Sequence, residues 1–350
     1  MSDIIRMNDG AGGEAMHALL KQVVFKHLVG RSKAEVPLSA MDDSCVVEDI
    51  VFTIDSHTVR PLFFPGGDIG SLSVCGTIND ISVMGARPLA LALGMVVAEG
   101  FPRDDLERIM ASVGKTAKDA GVPVETGDTK VVERGSLDGV ILTTAGIGVF
   151  SEALEKNNKI VAKYRKKRSR WLTDGSVSAG DKIIISGYIG DHGIAIMSVR
   201  EGLSFKVPVV SDVRALNMML DKAMRVGGLT ACKDPTRGGL ANALNEWSEK
   251  SKVGIVVREG AIPIRDSVRA ASDMLGISPY EIGNEGKALI AVVPDMADKV
   301  LACLRRTPEG KDAAIIGEAT KDVNGVVMET TIGSRRVLEP PIGDPIPRIC

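Results

Sequence analysis

Helix-like and strand-like stretches alternate along this chain, yet a helix does not follow every strand, and that order restricts the fold more than any other feature. EAMHALLKQVVFKHL puts Met16, Leu20, Val23, Val24 and Leu28 on one helical stripe. CVVEDIVFTID reads as a hairpin turning at Glu48 and Asp49. GDIGSLSVCGTINDISVMG carries Ile69, Leu72, Cys75 and Ile78 at helical spacing and stops at Gly85 and Pro88. LALALGMVVA is a buried-strand pattern, and VILTTAGIGVF is another. Between them, DDLERIMASVGKTAKDAG is amphipathic through Leu106, Ile109, Met110, Val113 and Ala117, with Gly121 as its cap.

The second half repeats the style. DKIIISG, VGIVVRE and KALIAVVP read as strands; GIAIMSVREG, TRGGLANALNEWSEK and ADKVLACLRR read as helices, the middle one facing inward through Leu240, Ala243, Leu244 and Trp247. A doubly wound parallel sheet needs a crossover after each strand, so the pattern predicts α+β domains with antiparallel or mixed sheets. At 350 residues the chain exceeds one ordinary core and divides into two. With 3% aromatics those cores are aliphatic. We place the first domain at residues 1–150, a basic linker or insertion at 151–174, the second domain at 175–338 and a flexible tail at 339–350. The linker packs Lys159, Lys163, Arg165, Lys166, Lys167, Arg168 and Arg170 into a dozen residues, which reads first as a solvated loop and second as a docking patch for an acidic partner or RNA.

Several function classes are excluded. A net charge of -2 gives no general attraction to nucleic acid or to a membrane surface. The longest apolar run, Leu89 to Ala98, is about half the length of a bilayer-spanning helix. The start, MSDIIRMNDG, lacks a basic-plus-apolar signal region, so the expected location is cytoplasmic. Five widely spaced cysteines with no C-x-x-C argue against a disulfide framework or a zinc ribbon.

Acidic residues recur at the ends of apolar stretches: Asp42 and Asp43 in MDDSCVV, Asp55 in FTIDSH, Asp80 after Asn79 in GTINDIS, and Asp128 in ETGDTK. Singly, each is an ordinary cap or turn former. Together, with so few histidines, they suit Mg²⁺, a hard ion usually shared with substrate phosphates. NDGAGGE sets Gly10, Gly12 and Gly13 ahead of a helix, where backbone N–H groups can cradle phosphate, although many such runs are only turns. It fits neither the Walker nor the Rossmann pattern. In GDTKVVERG, Lys130 and Glu133 offer a cation for phosphate and a base, or a plain exposed ion pair. DPTRGGL and GNEGKAL could bring Asp234, Arg237 and Glu285 to a site between the domains.

The chain stops at EPPIGDPIPRIC. A cysteine in last place, Cys350, has no core to join, so reactivity is the better reason for it. Twelve extended residues at ~3.3 Å each reach roughly 40 Å, enough to cross a domain, and four prolines keep the stretch extended.

DGAGG, MDDSCVV, TIDSHTVRPLFFPGGDIGSLSVCGTINDISVMGARP, TGDTKVV, GYIGDHGIAI, KDPTRGGL, GNEGKAL and the terminal PRIC, in this order, resemble the HypE family of hydrogenase maturation factors. That family is a branch of the PurM-like superfamily of aminoimidazole ribonucleotide synthetases, selenophosphate synthetases and thiamine-monophosphate kinases. The resemblance covers nearly the whole chain. It implies a two-domain PurM-like (AIR synthetase-like) α+β fold and a homodimer whose first domains pair into a shared barrel. The implied activity is an ATP-dependent carbamoyl dehydratase. A HypF-type carbamoyltransferase loads a carbamoyl group onto Cys350, ATP dehydrates the thiocarboxamide to a thiocyanate, and the cyano group passes to iron on the HypC–HypD complex. The resemblance assigns ATP and Mg²⁺ to Asp43, Asp55, Asp80 and Asp128, with Asn79, Asp234 and the Gly12–Gly13 turn nearby. It places Lys130, Glu133 and Glu285 around the modified thiol. The basic segment from about Ser151 to Trp171 departs from the family pattern. A small-molecule synthetase or kinase of the same superfamily, or a non-catalytic thiol carrier, are the competing readings.

Overall fold

The computed structural model describes residues 4–10, 12–28, 33–166, 168–202, 208–341, 343 and 345–350. The apolar stripe near the start forms an arm of three short pieces: α1 (Gly13–Leu19), a wider π-type turn (Leu20–Val24) and α2 (Phe25–Leu28). It is not the single helix its periodicity suggests. None of its described side chains is fully buried, because the stripe borders an open cavity rather than a core.

The first sheet begins with the expected hairpin. β1 (Cys45–Val47) and β2 (Ile50–His57) turn through Glu48 and Asp49, both with positive φ, as a tight antiparallel turn requires. A two-residue hairpin, β3 (Phe63–Phe64) with β4 (Gly67–Asp68), leads into α3 (Ile69–Val83), where Asp68 and Ser71 close a reciprocal cap. Then follow β5 (Ala86–Ala98), α4 (Arg103–Ala120), β6 (Val124–Val132) and β7 (Val140–Phe150). The sheet order is β1-β2-β7-β5-β6, antiparallel except for β5 against β6. α3 is buried almost all round because the sheet covers one side while α4 and the second domain cover the other.

The second domain is a seven-stranded sheet. Its elements are α5 (Glu152–Val161), β8 (Lys182–Ile185), α6 (Asp191–Arg200), α7 (Asn217–Val226), β9 (Leu229–Lys233), α8 (Gly239–Ser251), β10 (Gly254–Arg258), α9 (Asp266–Leu275), β11 (Leu289–Val292), α10 (Ala297–Leu304), β12 (Ala314–Thr320), β13 (Val326–Glu329) and β14 (Arg335–Val337). The order is β14-β13-β10-β12-β8-β11-β9, with β10 and β13 the parallel pair. The mixed, mostly antiparallel α+β reading therefore holds in both halves.

The basic segment is not a solvated loop. Its first part is α5, which buries Ala153, Leu154, Asn157 and Val161, and its end buries Trp171 and Leu172. Most of its arginines are turned back onto the protein. Arg165 pairs with buried Asp181 at 2.6 Å, Arg168 donates to the carbonyls of Gly175 and Ser251, and Arg170 holds Glu35 and Asp49. Trp171 Nε1 donates to Glu35 as well. Lys167 lies outside the described residues. The physical reason is a mixed sequence: the apolar positions of the helix sit beside the charges, and burial of those positions outweighs the solvation of an alternative loop. Leu154 and Trp171 join a cluster containing Ile81 of α3 and Ile184 of β8, so the segment fastens the two domains together.

Candidate active site

A cavity of about 590 Å³ opens between the domains. The arm forms one wall through the apolar Met16, Leu20, Val24, Phe25 and Leu28, with His17 beside them. β2 and the loop before β1 form a second wall carrying Asp43, Asp55 and His57, and α3 adds Asp80. The third side comes from the loop after β9, with Asp234 and Arg237, and from Glu285 ahead of β11. The two glycines of the entry turn are there for space. A β-carbon on Gly12 would sit 3.2 Å from that of Arg237, and one on Gly13 would sit 2.5 Å from the carbonyl oxygen of Pro341. Both have positive φ. The turn lets the start of the chain pass close to the site and to the tail.

Beneath the cavity lies an ion network. Lys233 Nζ, at the end of β9, is 2.8 Å from Asp43, 2.9 Å from Glu246 and 3.2 Å from Asp174. Lys250 adds a second cation at 2.6 Å from Asp174. Burial alone would drive Lys233 toward neutrality, but Asp174, Asp43 and Glu246 outweigh it and raise its pKa. Burial opposes ionisation of Asp174 too, yet Lys233 and Lys250 hold it down at about 2. Asp43, which shares Lys233, is pushed up to about 6 by burial, and Asp42 to about 7 by burial and by Asp174.

Above this network compensation falls short: Lys233 acts on Asp234 and Arg237 on Glu285, but burial and neighbouring acids outweigh them. Asp80 and Asp234 are driven well above the usual carboxylate range, first by burial and then by neighbouring acids: Asp55, Asp234 and Asp43 act on Asp80, while Asp43 and Asp55 act on Asp234. Thr53 donates to Asp80 at 2.8 Å and Thr77 reaches Asp55 at 3.4 Å, which orients both groups. Concentrated negative charge of this kind is what a divalent cation neutralises. Among the described residues no three such side chains converge closely enough to hold an ion unaided. That combination fits Mg²⁺, which takes one or two carboxylates and completes its shell with water and phosphate oxygens. Glu285 is likewise raised by burial and then by Asp234, Asp212 and Asp55.

The tail ends inside this cavity. Cys350 is half-buried, with Sγ 3.8 Å from Arg237 Nη1. Its carbonyl accepts from Thr58 N at 3.1 Å, and the carbonyl of Ile349 accepts from His192 Nε2 at 2.7 Å. The charge of Cys350 is the first cause that raises the guanidinium pKa of Arg237. A cation beside a thiol is also the usual device for favouring its nucleophilic form.

Of the residues singled out by sequence, Asp43, Asp55, Asp80, Asp234, Glu285, Gly12 and Cys350 meet at the cavity, and Gly13 lies against the tail. Asn79 takes no part in the lining. Its amide accepts from Leu216 N at 2.8 Å and donates to the carbonyls of Arg214 and Glu285 at 3.1 and 3.3 Å, so it braces the Glu285 loop. Asp128, Lys130 and Glu133 do not join the site within one chain. Asp128 and Lys130 lie on β6 and Glu133 just beyond it; all three point away from the cavity on an almost wholly exposed edge strand, apart from half-buried ends. The sequence reading missed Lys233 and His57. A charged residue closing the apolar run LTACK was the available signal for the first, while nothing local marks a histidine on an alternating strand as a cavity residue.

The AIR synthase related protein family matches with its N-terminal domain over residues 41–150 and with its C-terminal domain over residues 178–329. A putative hydrogenase expression/formation protein of Methanocaldococcus jannaschii is 46% identical over 99% of each chain. The carbamoyl dehydratase HypE of Azotobacter vinelandii is 43% identical over 99% of this chain and 97% of its own. Among solved structures, a HypE–HypF complex superposes with a TM-score of 0.83 at 41% identity, covering 93% of this chain and 100% of the other. HypE in complex with ATP superposes with a TM-score of 0.79 at 39% identity, covering 98% and 99%.

Proposed function

The chain belongs to the HypE family within the AIR synthase related proteins, and from that premise we propose that it dehydrates a carbamoyl group carried on its own Cys350, using ATP, to a protein thiocyanate. The observation that carries this reading is the placement of Cys350 Sγ in the carboxylate-lined cavity, 3.8 Å from Arg237. A thiol on an arm that ends there is a tethered substrate.

The apolar arm wall, Leu20, Val24 and Phe25, suits the adenine base, and Asp43, Asp55 and Asp80 would hold Mg²⁺ together with the triphosphate. Mg²⁺, when bound, offsets charge on the transferring phosphoryl group. The carbamoyl oxygen of the Cys350 thiocarboxamide attacks the γ-phosphorus, the bond to the β–γ bridging oxygen breaks and ADP leaves. A proton departs from the nitrogen. The carbon–oxygen bond then breaks, phosphate leaves, the second nitrogen proton is removed and the thiocyanate remains. Glu285, whose burial raises its proton affinity, is suited to take a nitrogen proton. Arg237 steadies negative charge near the sulfur. A HypF-type carbamoyltransferase loads the arm and a HypC–HypD complex receives the cyano group for the hydrogenase iron; the superposition on a HypE bound to HypF supports the first of these.

A dimer completes the reading. Ile50, Phe52, Ile54, Val131 and Ile147 are exposed apolar residues of the first sheet, and β6 is an uncovered edge. Pairing of two such sheets into a barrel would cover them and bring Asp128, Lys130 and Glu133 toward the neighbour's cavity. Among the described residues no helix is long and apolar enough to cross a membrane, consistent with a cytosolic reaction.

The test is mass spectrometry of the C-terminal peptide after incubation with the carbamoyltransferase, carbamoyl phosphate and ATP. A carbamoyl adduct on Cys350 that loses one water only with ATP is the expected result. An adduct whose mass ATP leaves unchanged would overturn the proposal.

A further inference from the structure

The seat of the tail is built on one helix. His192 and Arg200 stand at the two ends of α6, and between them they hold three successive carbonyls: His192 that of Ile349, and Arg200 those of Arg348 and Pro347. Arg200 also donates to the carbonyl of Arg60. Residues 58–60 complete the opposite side, because Thr58 N and Arg60 N donate to the carbonyls of Cys350 and Arg348 at 3.1 Å each. The arm thus lies as a bent segment, with Arg348 at positive φ, between a helix of the second domain and a strand end of the first.

Two apolar side chains fix its register. Ile346 and Ile349 are both buried, and each occupies room left by a glycine. A β-carbon on Gly193 would come within 3.0 Å of Ile346 Cδ1, and one on Gly283 within 2.6 Å of Ile349 Cδ1. On the outer side the Arg348 side chain reaches Asp138 at 3.4 Å and the carbonyl of Thr58 at 3.1 Å. Arg60 shares Asp138 at 2.8 Å.

We propose that α6 is the dock of the carrier arm and that Arg200 is the positioning residue that sets the balance between a seated and a released thiol. Arginine suits this task. Its fan of donors can take converging carbonyls from two chain segments at once, which a lysine's compact head cannot reproduce. The contacts are to main chain, so the dock grips the arm equally whether the sulfur is free, carbamoylated or cyanated. Cargo is therefore processed without being the handle by which the arm is held. Release needs these bonds to break together, and a partner that competes for the carbonyls of residues 347–349 would open the seat.

The inference rests on the proposed dehydration only for its catalytic consequence, and the experiment separates the two. The rate of Cys350 alkylation by iodoacetamide is followed at the C-terminal peptide in the full-length protein, which distinguishes it from the half-exposed Cys45 and Cys303. Arg200→Ala is expected to raise that rate about tenfold, the effect of losing charge-assisted bonds to the arm, with Arg200→Lys in between. ATP affinity stays unchanged, since Arg200 lies outside the cavity lining. Asp138→Ala, on a 61% exposed side chain, should raise the rate in the same direction by a smaller factor. Carbamoyl loading proceeds undiminished in Arg200→Ala while water loss slows. Equal alkylation rates in the parent and both alanine variants would overturn the dock. Faster alkylation with no ATP-driven water loss, even in the parent, would keep the dock and overturn the dehydration instead.

Discussion

Arg237 Nη1 lies 3.8 Å from Cys350 Sγ across a gap that no covalent neighbour bridges: 113 positions separate the two residues. The guanidinium is positioned by the turn that opens α8, and the sulfur by an arm from the far end of the chain. Their meeting turns a terminal cysteine into a group with an electrostatic environment.

Replacing Arg237 by Ala should therefore slow ATP-driven water loss from the carbamoylated arm by about ten- to a hundredfold, the scale of one charge-assisted interaction in a desolvated site. Single-turnover mass spectrometry of the C-terminal peptide reads this directly. Arg237→Lys should recover part of the rate. Unchanged single-turnover rates in both variants would remove Arg237 from the chemistry.

How much of this was legible in the sequence depends on range. The turn at Glu48 and Asp49, the helix α3 with its stop ahead of Gly85 and the αL cap of α4 at Gly121 follow from residues adjacent in the chain, and they stand where the pattern puts them. No strand is read from VETGDTKVV, because β6 faces neither core and carries no alternation to mark it. The arm's seat was invisible for a different reason. It depends on Gly193 and Gly283 leaving room for Ile346 and Ile349, and such complementarity between distant residues has no local signature. Charge misled likewise at 159–170, where seven cations hide the apolar stripe of α5 and the anchor Trp171.

Lys233→Met removes the central cation of the buried network and leaves Asp43, Asp174 and Glu246 facing one another. Breaking a buried pair from one side costs about 3–5 kcal/mol. The expected fall in Tm is roughly 6 °C or more, by calorimetry at neutral pH. A variant that melts with the parent would show the network to be neutral for stability.

His57 predicts a pH dependence. Burial lowers its pKa to about 4 from an ordinary 6.5. Above 6.5 the ring is neutral in folded and unfolded chains alike. As pH falls below that value the unfolded chain takes up the proton first, so stability is lost until about pH 4, where the folded ring titrates too. By about pH 4.5 the loss amounts to roughly 2–3 kcal/mol. Urea unfolding of the parent and of His57→Gln at pH 7.5 and 4.5 isolates this contribution, because the buried aspartates are common to both. The parent should lose that much more than the variant on acidification; parallel curves would mean the ring is not held neutral.

The exposed positions of Asp128, Lys130 and Glu133 lead to the last prediction. Within one chain they cannot act on Cys350, since β6 faces away from the cavity. If two first sheets pair through Phe52, Ile54 and Ile147, a lysine on one edge can serve the neighbour's thiol. Lys130→Ala alone and Cys350→Ala alone should then each be inactive in water loss, the first for want of the cation and the second for want of a carrier. Mixed and allowed to exchange subunits, they should regain activity, because a heterodimer joins the intact Cys350 of one chain to the intact Lys130 of the other. Random exchange makes half the dimers mixed, with one working site of two, so recovery should approach about one quarter of the parent rate. An Ile54→Asp substitution in both chains should abolish the recovery by preventing assembly, visible as a halved mass in light scattering. Absence of recovery in a mixture shown to contain heterodimers would place Lys130 outside the reaction or in its own chain's site.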